Sequence, residues 1–572
     1  MSYRAPLADF AFLFRNIVPL DALAATERFA EATPETADAI LAEAARMVEE
    51  KLAPLQRPGD EHPARLEGDR VVTPPGFAEG YRAIAEGGWV AMAAPTEYGG
   101  LGLPQTLLCA VNEMMNGACL SLALNPLMTQ GQIEALEHHA SDEIRALYLP
   151  KLISGEWNGT MNLTEPDAGS DLGRLRSRAE PRPDGTFAIT GQKIFISWAD
   201  NDFTANTIHL VLARLPDAPA GTRGISLFLV PKFVPDAQGE PGRRNAVRVV
   251  SLEHKMGLHG SPTAVMEYDG ATGWLIGEPH RGLRAMFTMM NNARLGVGFE
   301  GVGVAEAATQ KALSHALERV QDRAPIPDPH GTIIDHADVR RMLATMRSHT
   351  FAARAIGLAT AHAIDLARAT GDADQTARAA LLTPIAKAYG TWTGKTVADI
   401  GIQVHGGMGY VEETGAAQFL RDVRVTEIYE GTNGIQAIDL VGRKLSDEGR
   451  AAMALLADVA RTASAAETHL PDLAARLAAA GTDMAAATRW MLEREDINDR
   501  LAGATPYLMA FAHVLGGHFH LAAALAEGGD GPRTRLARFF IRQIMPAHEA
   551  FLAAAREGAA PLYALAPEDF AA

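Results

Sequence analysis

The chain has 572 residues and a formal charge of −17, from 69 acidic and 52 basic side chains, with 47% hydrophobic and 21% charged residues. That length exceeds what one hydrophobic core serves and calls for several packed domains, while the composition excludes a disordered or fibrous chain. The acidic balance opposes phosphate backbones and anionic lipid, so neither a nucleic acid nor a membrane is an expected partner.

The start, "MSYRAPLADFAFLFRNIVPL", carries an apolar run, but Asp9 and Arg15 interrupt it and no small-residue cleavage pattern follows a basic start. No other stretch reaches the roughly 20 consecutive apolar residues of a membrane span, which makes the cytoplasm the expected address. Residues 1–34 read as an N-terminal extension. From 35 to 155 the pattern is that of a helical domain: "ETADAILAEAARMVEEKLAPL" sets Ile40, Ala44, Met47 and Val48 on one face, and Ser141 caps the helix that opens "SDEIRALYLPKL". Cys109 and Cys119 lie in an alanine-rich apolar stretch without paired-thiol or zinc spacing, as expected of reduced core residues.

Between 156 and 280 the signature changes to short β-rich runs, "TFAITGQKIFIS", "TIHLVLARL", "GISLFLVP", "AVRVVS" and "AVMEYDGATGWLI", separated by Pro, Gly and Asp turns. Long helical periodicity returns from 281 to 445, and 446–572 is a further alanine-rich helical segment. The expected fold class is α+β multidomain, with a β domain inserted between helical ones and a helical annex at the end.

"GVGFEG" (296–301) matches the Gly-x-Gly-x-x-Gly spacing of dinucleotide folds, but it lies inside a helical stretch with no strand before it, so close helix packing explains it better. "NLTEPDAGSDLG" (162–173) offers hydroxyls and free amides and reads either as an interdomain loop or as a holder of anions or of a ring's polar edge. "GQKIFISWAD" (191–200) taken alone is a half-buried strand. "IGIQVHGGMGY" (400–410) contains a glycine turn where backbone can approach a ligand, and His405, which by itself reads as structural. "EIYEGTNGIQ" (427–436) contains Glu430, either a base or an acid at the start of the next helix.

"LTEPDAGSD", "QVHGGMGY" and "RDVRVTEIYEGTNGIQ", in this order on this domain pattern, resemble the acyl-CoA dehydrogenase family over about residues 35 to 445. "YRAPLADFAFLF" and the annex resemble that family's long bacterial branch. The resemblance implies an N-terminal helical domain, a middle β-barrel or sandwich and a C-terminal helical bundle, plus the additional helical domain. It also implies FAD, an acyl-CoA thioester oxidised between its α and β carbons, a homodimer or homotetramer, and an electron-transfer flavoprotein as acceptor. The acyl group it suggests is short to medium in length, or carries a methylthio tail. Glu430 takes the position of the base that removes the α proton, its backbone N–H stabilises the thioester oxygen, and Gly431 leaves room for substrate. The position at which a few relatives carry the base instead is Ala293, which cannot ionise.

For the cofactor, the resemblance assigns Leu163 and Thr164 to the pyrimidine side of the flavin and Ser170 to pyrophosphate or CoA. Phe195, Ile196 and Ser197 stand beside the ring, with phenylalanine where the family more often has tryptophan. Arg319, Gln321, Gln403, Gly406 and Gly407 match the part of the FAD site supplied by a neighbouring subunit, with Arg323 able to share the phosphate role, and Thr432 and Gln436 match adenine-side or phosphate contacts. Asn291 and Arg294 match CoA contacts, although an arginine on a helix is also an ordinary surface ion pair. No metal is implied. Two other readings are an acyl-CoA oxidase and a non-catalytic flavoprotein binding DNA through its last domain. Against the second, residues 451–572 hold 10 basic and 14 acidic side chains; for it, Arg533, Arg535, Arg538 and Arg542 recur at near-helical spacing as a possible local patch.

Overall fold

The computed structural model describes residues 3–571. Its first part contains helices α1 (Leu7–Asn16), α2 (Pro34–Met47), α3 (Gln105–His139) and α4 (Asp142–Ile153). Two of these start as the sequence dictates: the Thr33 hydroxyl accepts the N–H of Thr36, with Pro34 at the first helical position, and the Ser141 hydroxyl accepts that of Ile144. On α2 the buried face runs through Ala37, Leu41, Ala44 and Ala45. Ile40 is only half-buried, because Leu41 takes the core position. The sequence reading also passed over a short hairpin, Arg65–Glu67 with Arg70–Val72. The helix α3 and a later helix, Ala504–Ala526, have the length and apolarity to cross a membrane, but both are buried inside the protein as core helices.

The middle part has strands β1 (Trp157–Asn162), β2 (Arg178–Pro181), β3 (Phe187–Ser197), β4 (Asn206–Arg214), β5 (Ile225–Pro231), β6 (Val247–Leu252) and β7 (Thr263–Ile276). Pairing runs β7 to β3, β2, β4, β5 and back to β7, which closes a barrel; β1 lies parallel to β4 and β6 extends β7. The alternation of inward and outward residues fills its interior with Ile189, Val211, Phe228, Val230, Met266 and Tyr268.

Long helices follow: α5 (Gly282–Glu318), α6 (Ala337–Thr370) and α7 (Ala373–His405), then α8 (Asn433–Asp439). "GVGFEG" lies within α5 and is a helix crossing. A Cβ on Gly301 would stand 2.2 Å from the Gly390 carbonyl oxygen, and one on Gly298 2.9 Å from that of Ala386. Glycine alone allows α5 and α7 to approach this closely.

The annex contains α9 (Arg450–Ala466), α10 (Pro471–Glu493), α11 (Ala504–Ala526) and α12 (Pro532–Phe539). It is joined to the bundle by charge and by aromatic packing. Arg354, fully buried on α6, donates to Asp9 of α1 at 2.9 Å, Glu113 of α3 at 2.6 Å and Glu306 of α5 at 2.7 Å. Arg347 adds contacts to Glu306 and Asp9, and Arg533 of α12 reaches the second Asp9 oxygen at 2.8 Å while lying over the Phe12 ring. Of the four annex arginines, Arg533 is held by Asp9 and Arg542 pairs with Asp472 at 2.9 Å, while Arg535 and Arg538 are exposed. Annex histidines His513, His518 and His520 are buried at this junction, His520 bonding to the Ser348 carbonyl, while His349 of α6 bonds to the Tyr389 hydroxyl.

Replacing Arg354 with methionine leaves three carboxylates buried with too few cations. The expected loss is about 3–5 kcal/mol, read as a lower midpoint in urea or thermal unfolding. Burial pulls His349 down to about 3 and His513, His518 and His520 to about 4, so their stabilisation is complete above the unfolded value of about 6.5 and is lost as pH falls below it. Melting temperature followed by circular dichroism should fall on acidification from pH 6.5 to 5.

Candidate active site

Glu430 and Gly431 occupy consecutive left-handed conformations, φ +55° and +84°, in the turn before α8. A glutamate pays steric strain there, of order 1–2 kcal/mol, and buried neighbours hold it in place. Gln436 donates its amide to the carbonyls of Glu430 and Gly431 at 3.2 and 3.3 Å, and Lys387 of α7 donates to Gly431 O at 2.9 Å and to Asn433 Oδ1 at 3.0 Å. Thr432 caps α8 by accepting the N–H of Ile435. With both carbonyls drawn inward, the N–H of Glu430 has no acceptor among the described residues.

Two cations act on the Glu430 carboxyl, Arg294 from α5 and Lys387 from α7. Arg294 is buried, 3.4 Å from Asn291 Oδ1 and 3.7 Å from Asp439 Oδ2, so the surface-pair reading does not hold. Asn291 itself is exposed. Ala293, beside Arg294, is buried in a small cluster with Leu127, Met128 and Met161.

A second group of residues joins the loop after β1 to the end of β3. Lys193, fully buried, donates to the Leu163 carbonyl at 3.1 Å and to Glu165 at 2.8 Å, while Glu165 also accepts the N–H groups of Arg176 and Ser177 and the Ser177 hydroxyl. Burial pulls the Lys193 ammonium down to about 8; it would push Glu165 up, but Lys193 and the hydrogen bonds hold that carboxyl below its usual range. The Ile194 N–H bonds to the Thr164 carbonyl at 2.9 Å, which draws this loop against the strand. Phe195, left-handed at φ +59°, keeps 60% of its surface exposed, whereas Ile196 and Trp198 are buried. Ser197 is half-buried and Ser170 exposed. The hydroxyls of Thr164, Ser170 and Ser197 bond to no other described residue. The exposed Phe195 ring, with Ser197 two residues on along the same strand and Thr164 drawn against it, offers the aromatic surface and free hydroxyls that a flat heteroaromatic ring requires, and these residues fit the isoalloxazine of FAD.

Arg319, Gln321, Gln403, Gly406 and Gly407 gather elsewhere, at the adjoining ends of α5 and α7, where His315 stacks on His405 at 4.4 Å. All five are exposed, and a Cβ on Gly406 or Gly407 would meet nothing within 4 Å. Arg323, beyond the end of α5, is likewise exposed. His405 itself is buried and bonds to the Gly401 carbonyl, as a structural histidine does. None of the five bonds to the glutamate turn or to the Phe195 ledge. Gln436 is fully buried, with its amide nitrogen committed to the turn. The sequence reading missed Lys387, Lys193 and Glu165, and also Glu300 of α5, which accepts the hydroxyl of Tyr429 beside the turn. The available signal was a charged residue within an otherwise apolar run, as in "GVGFEGVGV" and "TPIAKAYG". A separate cleft of about 500 Å³, lined by Trp89, Met92, Leu101 and Leu103 among others, includes none of these residues.

Four family models match along the chain: acyl-CoA dehydrogenase N-terminal domain over 34–156, middle domain over 160–271, C-terminal domain over 280–445, and acetyl-CoA dehydrogenase C-terminal like over 455–566. The 3-methylmercaptopropionyl-CoA dehydrogenase of Ruegeria pomeroyi is 45% identical over 547 residues, 93% of each chain. Among solved structures, Caenorhabditis elegans ACDH-11 in complex with C11-CoA superposes with a TM-score of 0.80 at 20% identity, covering 93% of this chain and 91% of that one. An acyl-CoA dehydrogenase from Bacillus anthracis complexed with FAD gives a TM-score of 0.75 at 20% identity, over 97% and 92%. With the domain order matched end to end and a glutamate turn held between α5 and α7, the chain belongs to the acyl-CoA dehydrogenase family.

Proposed function

We propose that this protein desaturates a short acyl-CoA thioester between its α and β carbons, with 3-methylmercaptopropionyl-CoA as the preferred substrate and Glu430 as the base. FAD is the cofactor; when bound, it supplies the acceptor for the β hydride. Leu163, Thr164, Phe195, Ile196 and Ser197 would hold its ring. The observation that carries the reading is the left-handed Glu430 with its unbonded N–H, which offers a base and an oxyanion donor from one residue.

Burial pushes the Glu430 carboxyl up to about 7, and the attraction of Arg294 and Lys387 keeps it from rising further. A carboxylate so placed is a stronger base than one in water, yet a useful fraction is ionised near neutral pH. The thioether preference is supported by the 45% identical relative of that name, and the Met128–Met161 cluster beside Ala293 suits a polarisable sulfur tail.

Oligomerisation and an electron-transfer flavoprotein acceptor belong to the same proposal. Leu317, Val320, Met408 and Tyr410 are more than half exposed around the Arg319 and Gly406–Gly407 group, and a second copy covering them would complete the phosphate side of the cofactor site. Two buried free thiols support a cytoplasmic setting.

Glu430→Gln should retain FAD absorbance and acyl-CoA binding while stopped-flow flavin reduction falls roughly 10³-fold or more; near-normal reduction would place the base elsewhere. In the wild type, reduction should slow tenfold per pH unit below about 7, as Glu430 takes up its proton. In a panel of methylthio, straight-chain, branched and aromatic acyl-CoAs, kcat/KM should be highest for the methylthio substrate. Flavin reduced by substrate should reoxidise with electron-transfer flavoprotein and only slowly in air; fast reoxidation in air would make the protein an oxidase.

A further inference from the structure

Glu300, the acid of "GVGFEG", has no part in the chemistry above, and its surroundings are unlike those of other buried acids in the chain. Glu113, Glu165 and Glu306 each face a cation within 3 Å, and Asp365 and Asp422 each accept several hydrogen bonds. Glu300 is fully buried, pairs with no cation within 4 Å among the described residues, and has one oxygen without any partner. Its other oxygen accepts a hydrogen bond from the Tyr429 hydroxyl. Tyr429 is the residue before the base. A buried carboxyl satisfied on one side only is destabilising, and its retention next to the reacting group points to use rather than to packing.

We propose that Glu300 is a positioning residue for the base: through the Tyr429 hydroxyl it holds the left-handed turn at Glu430. The inference rests on Glu430 being the base. The helix crossing makes the arrangement possible, since Gly298 and Gly301 flank Glu300 and bring it toward α7, whose Lys387 holds the other side of the same turn. The ionisable groups acting on Glu300 are Tyr429 and Glu430 from the turn and Lys387 from α7. Arg294 acts on Glu430 from α5, with Asp439 of α8 as its counter-ion, and Glu427 acts on Lys387.

Two carboxyls in one buried site resist being ionised together. Burial, with the nearby Glu430 charge, pushes Glu300 up to about 8, above Glu430 at about 7. The pair therefore loses its protons in two steps, the first leaving one carboxyl ionised and the other protonated. When Glu430 takes the α proton, the repulsion on Glu300 is lifted. Glu300 makes and breaks no bond to substrate.

The test uses the FAD-loaded enzyme and its Glu300→Gln, Glu300→Leu, Tyr429→Phe and Glu430→Gln variants. Glu300→Leu and Tyr429→Phe, which both remove the anchor, should slow flavin reduction roughly tenfold with KM changed much less. Glu300→Gln, whose amide oxygen still accepts the Tyr429 hydroxyl, should restore the rate at pH 7 to within about threefold. The wild-type pH profile should need two ionisations between about pH 6 and 9, and that of Glu300→Gln only the lower one. Infrared titration without substrate should show a buried protonated carboxyl lost near pH 8, absent in Glu300→Gln and moved to lower pH in Glu430→Gln.

Wild-type rates in both Glu300→Leu and Tyr429→Phe, or an upper ionisation that survives in Glu300→Gln, would overturn the proposal. If Glu300→Leu does not fold, Tyr429→Phe reads the same anchor. Normal flavin reduction by Glu430→Gln would instead sink the base assignment itself, so the two failures are distinguishable.

Discussion

The site depends on how closely two long helices cross. Gly298 and Gly301 on α5 meet the backbone of α7 at distances that no side chain permits. Beside Gln436 of α8, the supports of the glutamate turn come from these two helices: Arg294 and Glu300 from one, Lys387 and Thr391, whose hydroxyl donates to Asn433 Oδ1 at 3.1 Å, from the other. A single added methyl at Gly301 would collide with the Gly390 carbonyl and separate the helices, moving the supports of Glu430 apart.

Within that crossing the electrostatics are opposed and nearly balanced. Lost hydration raises both Glu300 and Glu430, and the Glu430 charge raises Glu300 further, while Arg294 and Lys387 attract Glu430 and keep it ionisable. Neither influence alone would give the proposed base its strength. Full desolvation without cations would leave Glu430 protonated at neutral pH, and cations without burial would leave it as weak as a surface carboxylate. The same balance recurs at Lys193 and Glu165, where a buried pair fixes the loop beside Phe195 and leaves the hydroxyls at its rim free.

The annex is part of the shared core and not a separate appendage. Asp9 from the first helix accepts hydrogen bonds from Arg347, Arg354 and Arg533, which belong to the bundle and the last domain. The extension at residues 7–16 and the segment around 533 are thus tied to the same ion network as α3 and α5. An arginine that looked free in the sequence is a structural tie.

Domain order, the barrel between helical domains, the helix start at Ser141 and the buried thiols were all legible in the sequence. These features are local, set by hydrophobic period, cap chemistry and contiguous motifs, and each is written within a few turns of chain. The reading of "GVGFEG" as close packing belongs with them, because a strand is missing before it. Tertiary structure alone decided the roles of Glu300, Lys387 and Lys193, the burial of Arg294 and the pairing of Arg533. Each of these depends on partners tens to hundreds of residues away, as with Asp9 and Arg533. A charge's effect is set by which opposite charge and how much water lie within a few ångströms, and only the folded chain brings those together.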